Sequence, residues 1–143
     1  MVEINNLTER KINLGLLEKT AREILEKEGK TGFHAEDFLS IAFVGPKKMA
    51  ELNGRYRKKK GSTDVLAFGE PEGSQRIGEV VICPAAVSKN AVIYGQSFQK
   101  ELTKVLIHGI LHLLGYDHEK SRREEGLMQA KELYYISKIK HCR

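Results

Sequence analysis

The run His108-Gly-Ile-Leu-His-Leu-Leu-Gly-Tyr-Asp-His118 holds three of the chain's five histidines within eleven residues. His108 and His112 are four residues apart, so on a helix turning about 100° per residue they differ by about 40° and stand one turn apart on one face. If that helix continued, His118 would lie about 240° further round and point away. Gly115 supplies the exit: a residue without a Cβ adopts the left-handed conformation that ends helices, and the chain then folds back towards the same ion. Three neutral imidazoles leave a tetrahedral zinc one open position, which is the catalytic arrangement, and zinc so held lowers the pKa of bound water to about 7. A structural site would close the fourth position with cysteine; none is adjacent in sequence, although Cys83 and Cys142 are left to approach in space. A lone histidine is more often a packed core residue, and His34 and His141 are read so. The triplet is read as the site of one Zn2+ ion per chain, while three histidines also accept nickel, copper or iron.

The spacing H-x-x-x-H-x-x-G-x-x-H is that of the metzincin metalloproteases, so a zincin- or metzincin-like metal helix is expected. The glutamate that serves those enzymes as general base is here Gly109. Without that proton acceptor, peptide hydrolysis by the usual route is disfavoured. Phosphodiester cleavage leans more on neutralising phosphate charge, which a metal and an arginine supply.

Outward from the motif, Ser97 is an N-cap for a helix running to Leu114, with an apolar stripe of Phe98, Leu102, Val105, Leu106 and Leu113. Upstream, Val2 to Ile4 reads as a short strand. Leu14 to Lys27 repeats Leu14, Leu17, Ala21, Ile24 and Leu25 at helical spacing and ends at Gly29. Phe38 to Val44 reads as a strand buried on both faces, and Gly45-Pro46 opens a helix through Met49 and Leu52. Val65 to Phe68 and Glu79 to Ile82 form a hairpin or meander around Gly69-Glu-Pro-Glu-Gly73. Pro84 starts a helix through Val87, Ala91 and Tyr94 that Gly95 stops. The last helix begins with a capping box, Ser121 to Glu124, and is expected to bury Leu127, Ala130, Leu133 or Tyr134, and Ile136. With no repeat and no composition break, residues 1–143 are read as one layered domain, a single metal-dependent hydrolase unit.

Bulk properties narrow the class further. A hydrophobic fraction of 41% beside 30% charged residues is the balance of a globular protein and excludes global disorder. Two cysteines give no disulfide framework, which fits a reducing cytoplasm. Cys83 is read as a small buried hydrophobe and Cys142 as a tail residue. Met1 to Asn6 lacks the basic start of a secretory leader, and the apolar run Val105 to Leu114 is far short of the roughly 20 residues that span a membrane. The net charge of +5 is matched by one window, Arg55-Tyr-Arg-Lys-Lys-Lys60, with five basic residues and no acid. Such a spot is a phosphate-binding footprint or a solvated loop.

Three stretches together resemble the YbeY family of bacterial endoribonucleases. HGILHLLGYDH matches its three-histidine zinc motif at every landmark. Leu52 to Phe68, with LNGRYR and STDVLAF, is similar to its Leu-Asn, Tyr-Arg and Pro-Thr-Asp-Val-Leu-Ser-Phe pattern, and GEVVIC, Gly78 to Cys83, resembles the strand it writes with Gly-Asp. Ser62, Ala67 and Glu79 stand where the family has proline, serine and aspartate, and none of these departures removes a metal ligand. The resemblance implies an α+β fold, a small mixed sheet flanked by helices, with the metal in a cleft beside a basic surface. It implies His108, His112 and His118 as zinc ligands and Arg57 as the functional arginine. It also implies a single-strand-specific endoribonuclease of 16S ribosomal RNA 3′-end maturation and ribosome quality control, with a small-subunit ribosomal protein and a ribosome-associated GTPase as partners.

On physical grounds Arg57 offers a planar fork for a phosphate oxygen pair, and Arg55, Lys58, Lys59 and Lys60 offer less specific RNA backbone anchors. A plain surface arginine is the alternative for Arg57. Tyr56 is read as packing into the core, with stacking on a base as the alternative. Asp64 and Asp117 are candidates for orienting an imidazole or for turn roles, and Glu101 for either the site or an exposed helix surface. Two rival functions stay open: a non-catalytic RNA-binding ribosome assembly factor with a structural metal, and a metallopeptidase-like hydrolase.

Overall fold

The computed structural model describes residues 1–28, 38–58, 61, 63–70, 76–116 and 121–139. In chain order these residues form β1 (Val2–Asn6), α1 (Leu14–Glu28), β2 (Phe38–Phe43), α2 (Pro46–Arg57), β3 (Val65–Gly69), β4 (Arg76–Ile82), α3 (Pro84–Ile93), α4 (Phe98–Leu113) and α5 (Arg122–Ser137). The strands make one sheet in the order β1-β2-β4-β3. β1 and β4 run parallel to β2, and β3 pairs antiparallel to β4, so the expected hairpin-like pair closes a mixed sheet within an α+β fold.

Both faces of this sheet are covered. Leu39, Ile41 and Phe43 of β2 and Val80 and Ile82 of β4 join α1, α3, α4 and α5 in the larger core. Val81 of β4 and Leu66 and Phe68 of β3 point the other way, towards Met49 and Leu52 of α2. Period-2 alternation thus sends successive residues to two different layers, which is why Phe38 to Val44 reads as an apolar run broken only by Ser40.

Helix α4 is the central element and touches α1, α3, α5, β3 and β4. The sequence suggests a stripe, but Leu102, Val105, Leu106, Ile107, Ile110 and Leu111 are all buried, so its middle is enclosed almost all round. The Ser97 hydroxyl accepts from the Lys100 amide at 3.1 Å, as its N-cap role requires.

The expected burial of α5 is corrected. Leu127, Ala130, Leu133 and Tyr134 are exposed, Leu133 by 72%, while Met128 and Tyr135 are buried and Ile136, as expected, packs partly buried against the core. The inward row of this helix also carries Lys131 and Glu132, which meet polar partners, so apolar spacing alone selects the wrong face. The cap itself is as expected: Ser121 Oγ accepts from the Glu124 amide at 3.1 Å. The Gly29 helix stop and most of the Gly69 to Gly73 turn lie outside the described residues.

Candidate active site

Helix α4 ends where Gly115 says it should. Gly115 has φ 104, its amide donates to the His112 carbonyl, and the Tyr116 amide donates to the Leu111 carbonyl, each at 3.1 Å. These two bonds form a Schellman closure, which satisfies carbonyls a helix end would otherwise leave bare. His108 and His112 line one cleft of about 420 Å³, together with Arg57, Gly109 and residues 65–68 of edge strand β3. His118, Asp117, Lys59, Lys60, Ser62, His34, His141 and Cys142 lie outside the described residues.

At Gly109 the helix packs closely against the sheet. A Cβ there would lie 2.9 Å from Val80 Cγ1 and 3.3 Å from Val65 Cγ2. A side chain there would press on both valines, so packing as well as sequence disfavours a glutamate at the position the metzincins use.

Arg57 reaches the cleft from the last turn of α2, where the helix C-terminus favours cations. Lys58 then turns left-handed at φ 54 and its amide caps the Asn53 carbonyl. The buried Asn53 side chain donates to the Gly61 carbonyl at 2.9 Å, tying the chain beyond the helix back to it. Arg55 and Lys58 are exposed and do not line the cleft, so of the described basic residues in this run Arg57 alone does. Tyr56 departs from the core-packing expectation: it is 59% exposed and meets Phe68 edge-on at 5.2 Å. The buried face of α2 is carried by Met49 and Asn53.

Two groups that the sequence did not reveal support α4 from behind. Glu132 of α5, 18% exposed, places Oε1 2.6 Å from His108 Nδ1. With the proton on Nδ1 the ring donates to this carboxylate and Nε2 keeps its lone pair, which is how metal-binding histidines are usually oriented. Glu28 of α1, 9% exposed, accepts from Tyr116 Oη at 2.6 Å, Tyr135 Oη at 2.5 Å and Lys131 Nζ at 3.1 Å. Burial by itself pushes the Glu28 carboxyl up, but these three donors outweigh it and hold the group below its ordinary value. The same contacts work in reverse on the phenols: burial and the Glu28 carboxylate push Tyr116 up to about 12 and Tyr135 higher still. An inward acid on a helix whose neighbours are also charged leaves no periodic trace, and the partners are 24 and 88 residues away.

Other candidates have structural employment. Glu101 is buried in the first turn of α4 and accepts from Gln96 Nε2 at 3.3 Å. The Asp64 carbonyl accepts from the Cys83 amide at 2.9 Å, and its side chain accepts from Thr63 at 3.5 Å. Cys83 is buried in the α2-side core and does not line the cleft. Among the described residues no three His, Cys, Asp or Glu side chains gather as a metal site. The donors present nonetheless suit one: two imidazoles at one-turn spacing open into a cleft, one of them buttressed by a carboxylate.

A sequence model of the endoribonuclease YbeY family matches residues 3–140. The chain belongs to that family. Among YbeY relatives, the endoribonuclease YbeY of Thermodesulfovibrio yellowstonii is 45% identical over 71% of this chain and 67% of its own length. Those of Aquifex aeolicus and Petrotoga mobilis are 38% and 35% identical over 93% and 98% of this chain, and 88% and 96% of theirs. A solution structure of a Thermotoga maritima protein superposes with a TM-score of 0.67 at 32% identity, covering 97% of this chain and 89% of that one. Of the positions that depart from the YbeY pattern, Ala67 lines the histidine cleft, whereas Glu79 lines a second cleft beyond Tyr56 and Phe68.

Proposed function

We propose that this chain is a zinc-dependent endoribonuclease that cleaves single-stranded ribosomal RNA, acting in 16S 3′-end maturation and ribosome quality control. One observation carries the reading: in a member of this family, the cleft lined by two histidines at helical spacing is also lined by Arg57 from a separate element. His108, His112 and His118 hold the ion, which when bound supplies Lewis-acid charge against the phosphate and acidifies water. Glu132 fixes the tautomer of His108. Arg57 pairs its guanidinium with phosphate oxygens and offsets the charge that grows on them as the bond breaks. Arg55 and Lys58 to Lys60 anchor flanking phosphates as point charges.

The closed space at Gly109 speaks against the peptidase reading. No helix among the described residues is long and apolar enough to cross a membrane. A cytoplasmic location and the two protein partners, a small-subunit ribosomal protein and a ribosome-associated GTPase, belong to the proposal.

The test is cleavage of a single-stranded ribosomal RNA fragment by highly purified protein, with zinc and with a chelator. Arg57→Ala is expected to lower kcat about 10²-fold while leaving the melting temperature in place, because the residue is exposed. His112→Ala is expected to be inactive. Equal cleavage by His112→Ala and the parent protein would overturn the proposal, and full biological rescue by a folded metal-free variant would favour the assembly-factor role.

A further inference from the structure

Behind the aromatic wall of the histidine cleft lies a second depression of about 330 Å³, lined by Ser40, Leu52, Tyr56, Phe68, Gly78 and the charged residues Glu70, Arg76 and Glu79. Tyr56 and Phe68 line both depressions, so the two clefts adjoin at these residues. Tyr56 presents a largely exposed ring, braced edge-on by Phe68. Such a ring is a stacking platform.

The opposite side is polar and built into the sheet. Ser40 and Glu79 are paired in the β2–β4 register, and Ser40 Oγ donates to Glu79 Oε2 at 3.2 Å. That bond engages Oε2 and leaves Oε1 able to accept. Gly78 keeps the floor bare: with φ 151, a Cβ there would come 2.4 Å from the Phe68 carbonyl oxygen. Arg76 adds positive charge at the rim, its guanidinium 5.3 Å from the Phe38 ring centroid.

A flat aromatic platform and a carboxylate acceptor lining one cleft select a flat ring with N–H groups on its edge. We infer that the cleft between Tyr56 and Glu79 is a nucleobase subsite, holding the base next to the phosphate bound beside Arg57. The assignment rests on the ribonuclease reading above. Tyr56 stacks on the base and Glu79 accepts from its edge. Guanine fits best because N1–H and the 2-amino group can both donate to one carboxylate, and cytosine and adenine each offer an amino group. Uracil presents one N–H between two carbonyl oxygens, which the carboxylate repels.

The experiment measures equilibrium binding, by fluorescence anisotropy with metal present, and cleavage of short single-stranded RNAs that differ only in the base beside the cut. The parent protein should bind the guanine RNA about tenfold more tightly than the uracil RNA. Glu79→Gln, whose amide both donates and accepts, should bring that ratio close to one, and Ser40→Ala should reduce it by freeing the carboxylate. Tyr56→Ala, a surface change, should weaken binding of all four RNAs by about 5-fold to 100-fold without changing the ratio. Base preference unchanged in Glu79→Gln, or unchanged affinity in Tyr56→Ala, would overturn the subsite. RNA binding indifferent to the base, together with Glu79→Gln losing affinity for a ribosomal protein, would assign the cleft to a protein side chain and also overturn it. Base-selective binding without any cleavage would sink the ribonuclease reading and leave the subsite standing, whereas cleavage indifferent to that base would do the reverse.

Discussion

At position 109 the choice between glycine and alanine is a contest of two small terms. Alanine gains about 1 kcal/mol in helix propensity. Against that, the new methyl would press on Val80, which is fully buried between α4 and the rest of the core and has nowhere to retreat. Overpacking of this kind costs about 1–3 kcal/mol. Gly109→Ala is therefore expected to be destabilising on balance, read as a lower urea midpoint with an unchanged slope; a raised midpoint would mean that α4 can move off the sheet freely. Neighbouring residues show what single positions hide. Tyr56, Arg57 and Lys58 are consecutive, yet one ring faces two clefts, one guanidinium lines the histidine cleft, and one lysine caps the helix in a left-handed turn.

Among the elements, α5 resisted reading from sequence because its inner face is half polar. Met128 and Tyr135 pack into the core while Lys131 and Glu132, between them, bind Glu28 and His108. The same helix thus ties α1 to the end of α4. This cluster gives a pH dependence with a definite sign. The folded Glu28 carboxyl is held below the ordinary value of 4.5, so its contribution is fully present above that pH and is lost as pH falls through the lower folded value. Melting temperatures of the parent and Glu28→Gln proteins should differ by a constant amount from neutral pH down to about 5 and converge below 4.5. Tyr135→Phe removes one charged hydrogen bond and should cost about 1.5–3 kcal/mol at neutral pH, measured by denaturant unfolding.

For the molecule as a whole, the ion is expected at the rim of a core already built without it. Leu102, Val105, Leu106, Ile107, Ile110 and Leu111 of α4 are buried against three helices and the sheet, which is enough apolar burial to keep the fold without metal. Chelation should therefore abolish cleavage yet preserve the far-ultraviolet circular dichroism. Zinc at 100 times its dissociation constant should raise stability by about 2.7 kcal/mol, a shift of roughly 5–10 °C in Tm. Glu132→Gln should weaken zinc binding by about 10-fold to 100-fold in a competition titration, with little change in the Tm of the metal-free protein. Loss of secondary structure on chelation would instead make the ion a structural clamp.

The element types, the capping serines, the Gly115 exit and the pairing of His108 with His112 were all legible in the chain, because each depends on residues within a few positions of one another. Helical spacing, glycine's freedom at positive φ and side-chain caps are local physics. Which face of α5 turns inward, why Gly109 packs best without a side chain, that Arg57 lines the cleft while Arg55 and Lys58 do not, and that Glu132 and Glu28 brace its back were decided only in three dimensions. Those features depend on contacts between segments far apart in sequence, where packing distance and desolvation, rather than local preference, set the outcome.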